Sequence, residues 1–223
     1  MVRPAPFPQP TFPFFITNFL KMELLIASAS HRIYAKEIAD CIAASAAVRG
    51  TGIARRTPEY IITKMENGNA IIALDNKKFV GFCYIEVWGH GNYVAHSGLI
   101  VNEDYRGQGI AKKIKKKTLA LSLSKFPNAK IFGITTGKAV LKINTDLGYK
   151  PVHFSELTDD PEFWNGCQTC KNYDVLTRTS RTMCLCTGML YDPKRGATNT
   201  KKTVKVATHL QSIKNQFFLK KTK

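Results

Sequence analysis

The chain is short of acid. Its 223 residues carry 33 lysines and arginines against 16 aspartates and glutamates, a net charge of +17. Residues 1–21 and 194–223 contain no acid at all, and they hold eleven of the basic residues. Residues 22–193 retain a net charge of only +6. A like-charge tail reads as a solvated, disordered extension, with contact to an anionic surface as the alternative. There is no apolar run of about 18 residues, so no segment reads as a membrane-spanning helix. Residues 1–21 also lack the unbroken apolar stretch of a secretory signal, because five prolines and Asn18 interrupt it. They read as an unstructured extension, or as the product of an upstream start with Met22 as the natural beginning. The expected compartment is the cytoplasm, where cysteines stay reduced.

Two phosphate-binding signatures are missing as well. No Gly-Lys-Ser/Thr follows a glycine loop. The Gly-x-Gly that opens a helix, at Gly107 and Gly109, has Lys112 where the dinucleotide fingerprint needs its third glycine.

What is present is a regular succession of elements from Met22 onward. Residues 22–27 read as a buried strand, and residues 30–48 as a helix with Tyr34, Ile38, Cys41 and Ile42 on one face. Residues 49–56 form a glycine-containing basic loop. Pro58 opens a second helix that Asn67-Gly68 ends. Strands follow at 70–75, 79–88 and 93–101, then a helix to about residue 125, a strand at 130–136, and a helix over 138–147 stopped by Gly148. Shorter extended pieces and a cysteine-bearing segment complete the pattern. This predicts an α/β (α+β) domain with a mixed, mostly antiparallel sheet and helices on both faces. The expected organisation is an extension over 1–21, a core over 22–160, a Cys-rich part of the same domain over 161–193, and a basic tail over 194–223.

The strand–loop–helix unit at residues 97–125 carries the functional signal. Backbone N–H groups at a helix start have no internal partner and favour negative charge. Gly107 and Gly109 let such a backbone approach a pyrophosphate. The run Arg106-Gly107-Gln108-Gly109-Ile110-Ala111 resembles the acyl-CoA signature of the GNAT superfamily, Gln/Arg-x-x-Gly-x-Gly/Ala. The strand ending at Val101 before it, and the helix ending Leu147-Gly148-Tyr149, extend the resemblance over most of residues 22–149. It implies a GNAT fold in which strands 97–101 and 130–136 splay. Acetyl-CoA or another acyl-CoA would lie between them as co-substrate, bonded to backbone near Leu99 and Val101, with its pyrophosphate on residues 107–111. The lysines at 112–117 read either as a solvated face or as contacts for a CoA phosphate.

The same resemblance implies direct attack of an amine on the thioester, which needs a base and an acid. Glu86 and His96 are the candidate bases, with a core histidine as the alternative reading of His96. Relatives carry a tyrosine acid where this chain has Asn144, so Tyr149 or a water must substitute. Arg49, Thr51, Arg55 and Arg56 lie in the connection that usually lines the acceptor pocket, and their forked donors suit carboxylates. A solvated basic loop is the alternative. The runs 48–60, 154–160 and 184–192 resemble a bacterial GNAT subgroup of arginine biosynthesis, which implies acetyl or succinyl transfer to the amine of glutamate. A polyamine or protein-lysine acceptor, an acyl-CoA sensor and a nucleic-acid binder using the tail are the alternatives. A homodimer is left open.

Cys41 and Cys83 read as core residues. Cys167-x2-Cys170 and Cys184-x-Cys186 form a four-thiolate set, read as a structural zinc site outside the acyl-CoA core, against free or redox thiols.

Overall fold

The structure, a computed structural model, describes residues 22–49 and 56–195. Alternating and continuous apolar runs place seven strands in one sheet, in the order β1-β2-β3-β4-β5-β7-β6. These are β1 (Met22–Ile26), β2 (Ala70–Asp75), β3 (Lys78–Trp88), β4 (Tyr93–Val101), β5 (Lys130–Thr135), β6 (Lys150–Val152) and β7 (Thr187–Tyr191). Every neighbouring pair is antiparallel except β4 and β5. The mostly antiparallel sheet expected from the sequence is therefore present.

Helices cover both faces. On one, α3 (Ile110–Lys125) and α4 (Lys138–Asp146) lie over a core that includes Ile71, Cys83, Ile85, Val94, Ile114 and Tyr149. On the other, α1 (Ala35–Arg49) and α2 (Pro58–Glu66) bury Ile38, Ile42, Ile61 and Met65 against Ile72, Phe82, Tyr84 and Ile100. Burying one such side chain contributes about 1.5–3 kcal/mol. Two short helices that the sequence pattern did not signal, α5 (Pro161–Asn165) and α6 (Tyr173–Arg178), pack Trp164 and Leu176 onto Ala95, Phe132 and Leu190. They extend the layer of α1 and α2 across the far half of the sheet, because Ala95 pairs with Glu86, two residues along β3 from Tyr84. The first turn of the expected helix at residue 30 is a 3-10 helix, Ala29–Tyr34, entered from Ser28.

Two backbone features shape the centre. The parallel pairing of β4 with β5 covers only Tyr93–Ala95 and Lys130–Phe132, so beyond it the two strands are not paired with each other. The β3–β4 register also shifts between Phe82 and Tyr84. Gly98 sits at that irregularity with φ +62°, and a Cβ there would stand 2.3 Å from Cε1 of Tyr84. Only glycine lets the strand lie on that ring.

Candidate active site

Where β4 and β5 part, a cavity of about 420 Å3 runs through the sheet from one helical layer to the other. Its walls include His96–Ile100 of β4, Gly133–Thr135 of β5, Lys115 of α3, and Val140 and Asn144 of α4. On the opposite face they include Arg56, Tyr60, Tyr84 and Glu86.

The loop leading into α3 follows the β4 residues that line this opening. Gly107 and Gly109 have φ +79° and +73°, and nothing lies within 4 Å of where a Cβ would stand on either. No side chain caps α3. Its leading N–H groups are therefore presented beside two exposed glycines, the arrangement that suits a phosphate. Arg106 does not reach outward: Nε donates to the carbonyl of Val101 at 3.2 Å and Nη2 to Ser45 Oγ at 3.3 Å. It ties the loop to the end of β4 and to α1. Gln108 is exposed, Ile110 and Val101 are buried, and Ala111 and Leu99 are half-buried.

The α2 face of the cavity is built on a helix start. Thr57 accepts the N–H of Tyr60 at 3.2 Å and Pro58 occupies the first helical turn. This fixes where Tyr60 and, one turn later, Lys64 project. The Tyr60 hydroxyl donates to Glu86 Oε1, and Lys64 Nζ stands 3.6 Å from the same oxygen. Oε2 has no hydrogen bond to another described residue. Glu86 is 8% exposed and lines the cavity. Arg56 Nε donates to the Tyr84 hydroxyl at 2.6 Å, and its guanidinium lies 4.9 Å from the Tyr60 ring centre. Burial, then the neighbouring Glu86 charge, pushes Tyr84 up to about 12, so the phenol stays neutral. Of the acceptor candidates, Thr51 and Arg55 lie outside the described residues, Arg49 is described only as the last residue of α1, and Arg56 alone is placed with its side chain.

On the α3 face a buried polar chain runs behind the cavity. Tyr149 Oη and His96 Nδ1 are 3.1 Å apart, and His96 Nε2 and Ser122 Oγ are 2.8 Å apart. Ser122 donates to the carbonyl of Thr118 at 3.1 Å. With that hydroxyl hydrogen spent, the network assigns the donor to Nε2 and makes Nδ1 the acceptor from Tyr149. Burial and the nearby Lys115 hold His96 well below its usual pKa, so it is neutral. Tyr149 is fully buried and is not among the cavity walls; it lies behind His96 and Lys115, which are. Asn144 is 1% exposed, and its Oδ1 has no hydrogen-bond partner among the described residues.

One residue escaped the sequence reading. The lysines at 112–117 read as an outward-facing set, yet Lys115 is 2% exposed and points into the cavity wall. The signal was available, since 111, 115, 118 and 122 make one helical stripe and Thr118 and Ser122 are also buried. Lys112 instead pairs with Asp146 at 2.7 Å, and Lys117 donates to the carbonyl of Leu24 at 2.5 Å.

The structure bears on the cysteine reading in two respects. First, among the described residues no three histidine, cysteine, aspartate or glutamate side chains are gathered so as to hold a metal ion, and zinc is not supported. The thiols neighbour one another, and two of them also meet a peptide: Cys170 Sγ accepts the Asn172 N–H at 3.5 Å and the Cys184 thiol donates to the Asn172 carbonyl at 3.9 Å. Burial and the neighbouring cysteines push Cys167 up to about 11 and Cys186 to about 12, leaving both as neutral thiols. Second, the segment does not stand apart from the site. Cys167, Cys170, Cys184 and Cys186 all line the cavity, facing the α2 side with Phe163 and Tyr173. Cys83 is buried as expected and Cys41 half-buried.

Among the described residues no helix is long and apolar enough to cross a membrane. No match to a curated protein was found. The sequence profile of the acetyltransferase (GNAT) family matches residues 53–136. Among solved structures, the fold is similar to N-acetylglutamate synthase from Neisseria gonorrhoeae complexed with coenzyme A and N-acetyl-glutamate, at TM-score 0.56 and 11% identity. That match covers 77% of this chain but 35% of the other, so the chain spans about a third of that protein's length. Rv2747 from Mycobacterium tuberculosis, in complex with CoA, is similar at TM-score 0.53 and 15% identity, over 76% of this chain and 98% of that one. The acetyltransferase yncA from Salmonella typhimurium, with acetyl-CoA, is similar at TM-score 0.52 and 13% identity, over 77% and 94%. The fold is therefore that of the GNAT acetyltransferases, and residues 53–136 carry that family's sequence pattern.

Proposed function

We propose that the protein is an acyl-CoA-dependent N-acyltransferase that acylates the amine of a small acidic amino acid, glutamate first among the candidates. The observation that carries this reading is the uncapped α3 start at Gly107 and Gly109, reached from the β4 strand that lines a cavity opened by the parting of β4 and β5. The pyrophosphate would rest on residues 107–111. The thioester arm would follow the β4 edge near Leu99 and Val101, where β5 supplies no pairing.

The acceptor side supports the chemistry. Glu86 is a buried carboxylate on the cavity wall with one oxygen held by Tyr60 and Lys64 and the other open. In this reading it takes a proton from the incoming ammonium, directly or through water. The amine nitrogen then bonds to the acyl carbon and the carbon–sulfur bond breaks. Of the two protons the ammonium gives up, one returns to the thiolate as free CoA and one goes to solvent. Arg56, braced against Tyr84 and Tyr60, brings a positive charge to the same wall and suits an acceptor carboxylate. A cationic polyamine would meet that charge and be disfavoured.

Free CoA release from acetyl-CoA and succinyl-CoA, with glutamate, glutamine, ornithine, lysine and spermidine as acceptors, tests the reading. Release with glutamate above the others is expected. Release only with cationic amines would discard the acidic acceptor, and no release from a protein that still binds acyl-CoA would favour a sensor.

A further inference from the structure

Lys115 is 2% exposed and lines the cavity, and its ammonium makes no hydrogen bond or ion pair to another described residue. Its surroundings are the Tyr149 ring, with Nζ 5.4 Å from the centre, the neutral thiol of Cys83 and the neutral imidazole of His96. No carboxylate is among its electrostatic partners. A buried cation without an anion is costly, and a fold that keeps one on a cavity wall leaves an anion site for what enters the cavity. Burial lowers its pKa to about 8, and the amine is still mostly protonated at pH 7.

Lys115 stands at the inner end of the opening. A Cβ on Gly133, the β5 residue next after the last paired one, would lie 3.9 Å from Nζ and 3.4 Å from the His96 carbonyl. The absence of a side chain at Gly133 keeps that end open. Lys115 also belongs to the α3 face, on the same helix whose start faces the phosphate loop. Arg56, Tyr60 and Glu86 belong to the opposite face, with α2. A carboxylate meeting Lys115 therefore comes from the donor side of the sheet and not from the acceptor side.

We infer that Lys115 is a specificity residue for an acyl chain ending in a carboxylate, so that the donor is a short dicarboxylic acyl-CoA, of the succinyl or glutaryl kind, in preference to acetyl-CoA. This rests on the acyltransferase reading above. An acetyl group has no atom to pair with the ammonium, whereas a terminal carboxylate pairs with it and stays out of water. A site built around a polar partner strongly rejects the analogue that lacks it.

Calorimetric binding of succinyl-CoA and butyryl-CoA, without acceptor, separates this inference from the reading it rests on. The wild-type protein is expected to bind succinyl-CoA at least about tenfold more tightly, a difference of about 1.4 kcal/mol. Lys115→Met, checked for native circular dichroism, should bring the ratio near one, and Lys115→Arg should keep the preference. Equal binding by the wild type overturns the inference even where no variant folds. So does a ratio that survives Lys115→Met, or a Lys115→Met variant that raises the glutamate KM while leaving the donor ratio unchanged, which would assign the lysine to the acceptor. If neither thioester binds, the acyltransferase reading falls and takes the inference with it.

Discussion

Tyr149 gives its hydroxyl hydrogen to Nδ1 of His96 across 3.1 Å, and the other imidazole nitrogen is held by Ser122. Both residues thus spend on each other the groups that acid–base chemistry would use. Removing the hydroxyl leaves a buried Nδ1 without a donor, at a cost of about 1–3 kcal/mol. Tyr149→Phe is expected to lower stability by that amount in urea unfolding while changing turnover less than about tenfold, short of the 10²–10⁴-fold of general acid–base catalysis. A larger fall in kcat at unchanged stability would restore Tyr149 as the acid.

His96 also sets an acid limit on the fold. Its pKa in the folded state lies well below the usual 6.5, because burial and Lys115 oppose a second charge. As pH falls below about 6.5 the unfolded chain binds a proton that the folded chain refuses, so stability declines with pH in that window. His96→Gln, which keeps hydrogen-bonding capacity, should flatten the unfolding free energy between pH 6.5 and the folded pKa. An unchanged slope would show that another group sets the acid limit.

The sequence placed the sheet, the four main helices and the glycine turn before α3 correctly because those parts are locally encoded: apolar period, Pro58, Gly148 and the paired glycines each act within a few residues. The site was legible only in part. Glu86 stood out as a lone acid in an apolar strand. Its partners Tyr60 and Lys64 were not visible, since they meet it across the α2–β3 packing and their helical spacing looks like any exposed face. Lys115 was absorbed into a basic run whose other members face outward. The C-x2-C and C-x-C spacing signalled that the four thiols are neighbours, and they are. It carried no sign that they also meet the Asn172 peptide and line the cavity, because those contacts are made across the fold.

Glu86 offers the most direct test of the acid–base assignment. Glu86→Gln preserves size and can still accept from Tyr60, but removes the proton acceptor. The expected result is a loss of about 10²–10⁴-fold in kcat with acyl-CoA binding unchanged, the range of general-base catalysis. Turnover near wild type would remove Glu86 from the mechanism.

Arg56 should act on the acceptor alone. A charge-assisted hydrogen bond to a bound carboxylate is worth about 1.5–3 kcal/mol. Arg56→Lys keeps the charge but loses the planar fork braced against Tyr84. The glutamate KM is expected to rise about tenfold or more, with the acyl-CoA dissociation constant unaltered. A matching loss in acyl-CoA binding would mean that the substitution disturbs the Tyr84–Gly98 contact and with it β4.

Lys115 carries a stability cost whose sign can be read against pH. Its pKa is about 8 in the folded protein against 10.5 for an unburied lysine. At pH 7 the side chain is charged in both states, and the folded state bears the burial penalty, about 3 kcal/mol for a shift of that size. Between about pH 8 and 10.5 the unfolded chain holds a proton that the folded chain has released, so stability rises with pH through that window. The groups facing the ammonium are Cys83, His96 and Tyr149, and none is an anion at neutral pH. Lys115→Met should therefore be the more stable protein at pH 7, by about 1–3 kcal/mol in urea unfolding, with the gap closing as pH approaches 10.5. A variant less stable than wild type at pH 7 would mean that the ammonium already has an anionic partner in the folded chain. The cavity would then hold no open charge for a donor to meet.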